Sequence, residues 1–404
     1  MIIIRKNRCM LYVIAIGLFF TPYLLRDKLV TGGIYPINVL TWIGIFGITI
    51  WKSGISNRIK FNRKKLLTIG VYLLILLVFS FQGMQLRGSI LADYIRFYIA
   101  VIAPIVIVFV ELDDVKSMEL FQATLRVLNF SILIITGMGV VDKVSGIKVS
   151  EFFANFYNVE SLFSCLNQNR IVSFWGHSLL TAEIGILYFV LNYIDVLYFH
   201  SKRKRVGFVT IAFILVAMTG SKTAIALLLF MSLFVNLDRK NLKYIVLISL
   251  IVVGLLYSGV FDMMIERFLY WGARGDITSG RNSSFSELFQ SGVLRFSLLY
   301  GNDIGISTTA LIAATEYPII RWAYRFGIVW TALLCGGIFI YPVLCIIKKS
   351  KSFKILILYF GFLVFVNTYS TLQTTQDGML IFCVMTCIIM NVCSCVGGNK
   401  IEKY

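Results

Sequence analysis

Long apolar runs constrain this chain more than any other feature, at approximately 9–25, 34–51, 66–86, 92–110, 127–141, 178–199, 206–219, 222–237, 242–260, 323–347, 353–369 and 378–397. A spanning helix needs about 20 mostly apolar residues, because a rise of about 1.5 Å per residue must cross roughly 30 Å of hydrocarbon. About twelve runs meet that need. The sequence therefore predicts an all-α integral membrane protein, and the 58% hydrophobic and 14% charged composition agrees, since soluble domains are nearer 45–50% apolar. Only five prolines are present and no low-complexity linker separates the runs, so residues 1–404 read as one polytopic domain. The first run is followed by Arg26 and Asp27 rather than a small-residue cleavage site, and it is expected to remain as the first span.

Orientation follows from where the lysines lie, because cations are retained on the cytoplasmic side. Placing both termini inside puts Lys64–Lys65, Lys202–Lys204, Lys348–Lys349 and Lys400–Lys403 on that side. Most of the net charge of +18 then becomes an inner collar facing anionic headgroups, and no nucleic-acid partner is implied. The opposite side carries mainly arginine: Arg26, Arg87, Arg170, Arg267, Arg274, Arg281, Arg295, Arg321 and Arg325. Those arginines need their own explanation. Within the inner set, residues 111–126 place Leu112, Val115, Met118, Phe121 and Leu125 on one stripe, which predicts a helix lying along the inner interface.

Seven of the eight cysteines lie in or at the ends of apolar runs, and Cys165 alone falls in an external loop. No disulfide framework is expected. Cys393 and Cys395 lack a second pair or a nearby histidine, which falls short of a zinc ligand set; no metal or cofactor is predicted.

Two external connections stand out by length, 142–177 and 261–320, and long loops in compact domains are usually functional. The second, between spans 9 and 10, reads as two short helices. One starts near Phe261 with Met264, Ile265, Phe268 and Leu269 at helical spacing, and the other follows Ser279-Gly280-Arg281 with Phe285, Leu288 and Phe289. Pro318 suits the first turn of the helix after the loop. Arg321 and Arg325 lie four apart, hence on one helical face, and are expected near the outer end of the span 323–347. Two adjacent like charges beside hydrocarbon call for an anion between them, the competing reading being that both reach headgroup phosphates.

Several segments resemble the O-antigen polymerase and O-antigen ligase superfamily, the Wzy-type polymerases and their relatives. Gly220-Ser221-Lys222-Thr223-Ala224 resembles that family's Ser-Arg-Thr-Ala segment, with lysine for arginine. Ser279-Gly280-Arg281 and the turn Tyr300–Gly305 resemble its Ser-Gly-Arg element and the glycine-rich turn beyond it. Glu316–Ile320 with Arg325–Ile328, and Arg170 with His177-Ser178, resemble the entries to two of its spans. The ligases' histidine at the end of the large loop has no counterpart here.

The resemblance implies a GT-C-like polymerase/ligase architecture in the bacterial cytoplasmic membrane. It also implies metal-independent polymerisation of undecaprenyl-diphosphate-linked oligosaccharide repeat units on the outer face, alongside a chain-length regulator and a flippase. Such chemistry needs cations for the departing diphosphate and a base for the attacking hydroxyl. Arg170, Arg281, Arg321 and Arg325 are the candidate cations, since a guanidinium binds phosphate oxygens with two hydrogen bonds and stays charged. Glu316 and His177 are the candidate bases, with Glu183 and Asp303 behind them; the competing readings are that Glu316 caps the helix or pairs with a neighbouring arginine and that His177 is an interfacial hydrogen-bonding residue. The readings from other classes are a lipid-linked oligosaccharide flippase or another twelve-helix transporter, which normally shows a long inner connection after span six. Here that connection, 200–205, is short. A ligase is the remaining alternative, and an ATP-driven pump lacks its phosphate-binding motif.

Overall fold

The computed structural model describes residues 6–29, 44, 47, 63–86, 91–199, 205–237, 242–257, 259, 262–275, 280–301, 311, 314–350, 352–368, 372 and 377–397. No strand occurs among them. In chain order the helices are α1 (Lys6–Phe20), α2 (Tyr23–Leu29), α3 (Arg63–Leu86), α4 (Leu91–Phe97), α5 (Ile105–Val108) and α6 (Asp114–Val144). Next come α7 (Lys148–Tyr157), α8 (Glu160–Asn167), α9 (Ser178–Tyr198), α10 (Arg205–Thr219), α11 (Lys222–Val235) and α12 (Leu242–Tyr257). The last are α13 (Asp262–Ala273), α14 (Arg281–Gln290), α15 (Pro318–Phe326), α16 (Ile328–Lys349), α17 (Phe353–Val366) and α18 (Gly378–Gly397).

Four helical stretches among the described residues are long and apolar enough to cross a membrane: Leu67–Met84, Asp114–Val144, Ser178–Leu197 and Ile328–Lys349. The shorter apolar helices α10, α11 and α17 pack around them. Their apolar surface is divided between a helix-packed core and an outer skin. Leu74, Val78 and Phe81 of α3 and Phe130 and Leu133 of α6 stay exposed, whereas α9 is buried almost throughout. A soluble protein would hide such residues, while a bilayer solvates them. The expected span 34–51 lies outside the described residues apart from Gly44 and Gly47.

Polar bonds knit the bundle internally. Asn192 donates to Asn129 across α9 and α6 at 2.8 Å, Asn236 donates to Tyr193 at 2.6 Å, and Asn391 of α18 accepts from the Leu112 backbone at 2.9 Å. Side-chain amides at helix contacts supply directional cohesion where lipid tails compete equally for apolar surface.

Three expected elements differ. Residues 111–126 are not a separate interfacial helix: from Asp114 they are the first half of α6, whose 31 residues rise about 46 Å and exceed the hydrocarbon thickness. Asp113 caps this helix by accepting the Lys116 N–H at 2.8 Å, and Phe121 and Leu125 turn into the core while Val115 stays exposed. The run 92–110 is broken into α4, a π turn at Tyr98–Ile102, and α5. The run 323–347 is also broken, at Gly327, so α15 is a separate helix folded against α16. Arg321 and Arg325 thus sit on a short amphipathic helix rather than on the span itself.

Candidate functional site

The long connection after α12 carries the two expected short helices, α13 and α14. Gly280, in the left-handed region at φ +89°, precedes Arg281 at the first position of α14. Phe285 and Leu288, four and seven residues on, pack with Leu294, Leu311 and Tyr324 in a small cluster of their own. Tyr324 belongs to α15, so this apolar stripe docks α14 onto the helix bearing Arg321 and Arg325. The Arg281 Nε donates to Glu316 Oε2 in an ion pair of which both partners are mostly buried. Glu316 lies two residues before Pro318, which occupies the first turn of α15. Arg281 is thereby brought to the start of α15, with Arg321 one turn further along.

The remainder of the loop is tied down through backbone. Ile328 and Val329, opening α16, donate their N–H groups to the carbonyls of Ser297 and Leu298 at 3.0 Å each, which satisfies donors that a helix start otherwise leaves orphaned. Gly301 lies against the Arg325 carbonyl so closely that a β-carbon there would overlap it. Gly83 of α3 approaches the same carbonyl from another side, its β-carbon position 2.8 Å away. Glycine is required where backbones meet like this. On α15, Pro318, Trp322, Tyr324 and Phe326 are buried, while Arg321 and Arg325 are half-buried. Beside this junction Phe97 packs on Phe326 with ring centroids 4.8 Å apart. Phe97 also lines an apolar cavity of about 290 Å³, with Leu77, Phe81, Met84, Tyr94 and Tyr98.

Arg170 and His177 belong to a second constellation, built by the folded connection 145–177. Arg170 is nine-tenths buried, and its Nε donates to the Thr219 carbonyl at 2.7 Å. Ile171 donates its N–H to the Met218 carbonyl at 3.2 Å. Together they fasten this connection to the tight turn Gly220-Ser221, where Ser221 caps α11 by accepting the Ala224 N–H. Lys222, expected as a residue of that turn, places its Nζ 5.5 Å from the centre of the Phe268 ring of α13. His177 is the N-cap of α9: its Nδ1 accepts the Leu179 N–H at 3.2 Å, and its Nε2 lies 3.7 Å from the Cys165 Sγ. Both ring nitrogens are thus engaged by the protein, which weakens His177 as the base for an external hydroxyl. Glu183 is buried on the same helix and lines a cavity of about 20 Å³ with Tyr23, Trp175 and Asp377.

That last cavity touches a group that periodicity did not expose. Arg26 Nη2 contacts both carboxylate oxygens of Asp377, at 2.6 and 2.7 Å, and its Nη1 donates to the Thr21 carbonyl freed by the break before Pro22. Opposite charges at the end of the first run and the start of the last were the available signal. Asp303 lies outside the described residues, as do the side chains of Arg267 and Trp271. Among the described residues, no three His, Cys, Asp or Glu side chains gather as metal ligands.

No protein-family model matches the chain, and comparison with curated proteins and with solved structures finds no significant match.

Proposed function

We propose that this chain polymerises undecaprenyl-diphosphate-linked oligosaccharide repeat units into a surface polysaccharide, with α15 and the N-terminus of α14 as the diphosphate-binding site. In this reading the protein crosses the bacterial cytoplasmic membrane about twelve times in a GT-C-like arrangement, with both termini inside and the 261–320 connection outside. The observation that carries it is the docking of α14 on α15. That contact sets Arg281 beside an amphipathic helix whose Arg321 and Arg325 share one face, with an aromatic-lined apolar cavity next to the junction. Arginine pairs of this kind suit a diphosphate, and the cavity suits an isoprenoid chain.

In the proposed reaction a hydroxyl of one lipid-linked unit attacks the anomeric carbon of another. The new glycosidic C–O bond forms as the bond to the diphosphate breaks, and undecaprenyl diphosphate leaves with the electron pair. The arginines stabilise the charge that develops on that leaving group. The hydroxyl proton passes to a carboxylate, for which Glu316 is the best-placed candidate at the α15 entry. Its pair with Arg281 joins the two halves of the site: loss of Arg281 would free Glu316 as well as remove a cation.

Cells lacking this protein test the reading through their polysaccharide ladder. Polymer is expected to vanish while the product carrying a single repeat unit persists. Loss of the single-unit product too would indicate transport of the lipid-linked unit and overturn the assignment.

A further inference from the structure

The wall between α1 and α6 holds a charged crevice that the polymerisation reading does not use. It encloses about 180 Å³ beside Leu11, Met118 and Ala123, and Tyr12, Glu119 and Arg126 bring polar groups to it. Arg126 is exposed, and its Nη1 donates to the Tyr12 hydroxyl at 2.8 Å, which engages one N–H of a five-donor guanidinium. Gln122 stands between the two charges and donates to Asp195 of α9 at 3.1 Å, so its amide is held as part of the wall. Glu119 is half-buried one side of it, seven residues before Arg126, and helical residues at that spacing share a face.

The depth of the two charges follows from the length of α6. Val140, Val141 and Val144 expose apolar surface at its far end, so hydrocarbon reaches that end. Counting back the roughly 20 residues that cross about 30 Å of hydrocarbon arrives near Thr124. Arg126 therefore stands at the hydrocarbon edge, where lipid phosphates lie, on the side from which α6 starts. Glu119 is about 10 Å further out along the helix, in the headgroup layer. The arginine stem leans toward the helix start, which brings the guanidinium closer to the carboxylate than their backbones are. On the other side of Arg126 the surface is apolar. There α1 runs parallel to α6, Ser131 donating to the Phe19 carbonyl as Arg126 does to Tyr12, and Val13, Ile16, Phe130 and Leu133 are exposed. In order of depth the surface thus presents hydrocarbon, cation, carboxylate.

We propose that this crevice binds an ethanolamine phospholipid, with Arg126 on the phosphate and Glu119 on the ammonium. That lipid presents the complementary order, chains, then phosphate, then ammonium, so each protein charge meets its opposite. The guanidinium holds phosphate oxygens with paired hydrogen bonds, and the carboxylate accepts from the ammonium N–H donors. A glycerol headgroup offers Glu119 no cation. A choline headgroup offers a cation whose methyl groups donate no N–H bond. Affinity therefore comes from both charges and selectivity from Glu119. The leaflet concerned is the cytoplasmic one in the proposed topology, but the match of charge order holds on either face and is independent of what the protein polymerises.

The test is native mass spectrometry of the full-length protein titrated with phosphatidylethanolamine, phosphatidylglycerol and phosphatidylcholine of matched chains. The parent is expected to bind the ethanolamine lipid about tenfold more tightly than either of the others, the effect of one charge-assisted hydrogen bond. Glu119→Gln should erase that preference and leave binding of the glycerol lipid intact, whereas Arg126→Gln should weaken all three lipids. Tyr12→Phe removes the hydroxyl and neither charge, so it should keep the preference; a merely structural role for the crevice would not sort the variants this way. Arg126→Lys serves if the glutamine variant does not fold, and it should retain the preference at lower affinity. Equal affinities for the three lipids in the parent, or an ethanolamine preference that survives Glu119→Gln, overturns the proposal.

Discussion

Asp377→Ala is expected to destabilise the protein by about 3–5 kcal/mol, the cost of leaving one partner of a buried ion pair uncompensated. Arg26 and Asp377 expose only 12% and 4% of their side chains, so solvent screens the lost attraction weakly. Arg26 also serves the Thr21 carbonyl at the end of α1, and Asp377 stands directly before α18. The pair therefore joins helices 351 residues apart, and removing the carboxylate strands a guanidinium in the seam between them. A large drop in the thermal unfolding midpoint of detergent-solubilised protein is the expected reading, with Asp377→Asn affected less because one hydrogen bond survives. The double variant Arg26→Met, Asp377→Leu should recover most of the loss, since an apolar pair of similar volume carries no desolvation penalty. An Asp377→Ala protein as stable as the parent would show that water reaches the pair and that it contributes little.

Arg321→Lys should keep the charge but lose the two-pronged contact with phosphate oxygens. Polymer formation is expected to fall about 10–100-fold, roughly 1.4–2.7 kcal/mol of transition-state stabilisation. Arg321→Ala and Arg325→Ala should fall further. Folding should survive in each case, because the buried face of α15 is Pro318, Trp322, Tyr324 and Phe326, and the Gly301 contact is made to the backbone carbonyl of Arg325 rather than its side chain. Membrane-extracted protein is therefore expected at parental amounts. Normal polymer from all three alanine variants, Arg281→Ala included, would make these arginines interfacial anchors.

Local grammar in the sequence reaches some of these features and not others. Pro318 at the start of α15, the Gly220-Ser221 turn and the two helices after α12 were all readable, because each is set by residues within one or two turns of one another. The break at Gly327 was not, since the apolar run continues across it; the glycine adopts φ +92° because residues 297–301 fold back to cap α16. The continuity of α6 is hidden by charge instead: Lys116 interrupts the apolar pattern, yet it is buried beside Asp113, with Nζ 3.1 Å from Oδ2. Hydrophobic period reports what faces lipid or core, and it is silent on charges satisfied by partners far away in sequence. Arg26 with Asp377 is the clearest case. Within the candidate site, the sequence singles out the arginines and offers Glu316 as a partner for one of them, whereas the choice of Arg281 as that partner and the approach of His177 to Cys165 required the fold.

Reconstitution tests the central claim most directly. Purified protein in vesicles would be supplied with undecaprenyl-diphosphate-linked repeat units and followed for both chain growth and release of undecaprenyl diphosphate. The account predicts lengthening glycan chains with one undecaprenyl diphosphate released per linkage formed, retained in the presence of a divalent-cation chelator and abolished by Arg321→Ala. Movement of the lipid-linked unit across the bilayer without chain growth, or chain growth that persists undiminished in the Arg321→Ala protein, would contradict it.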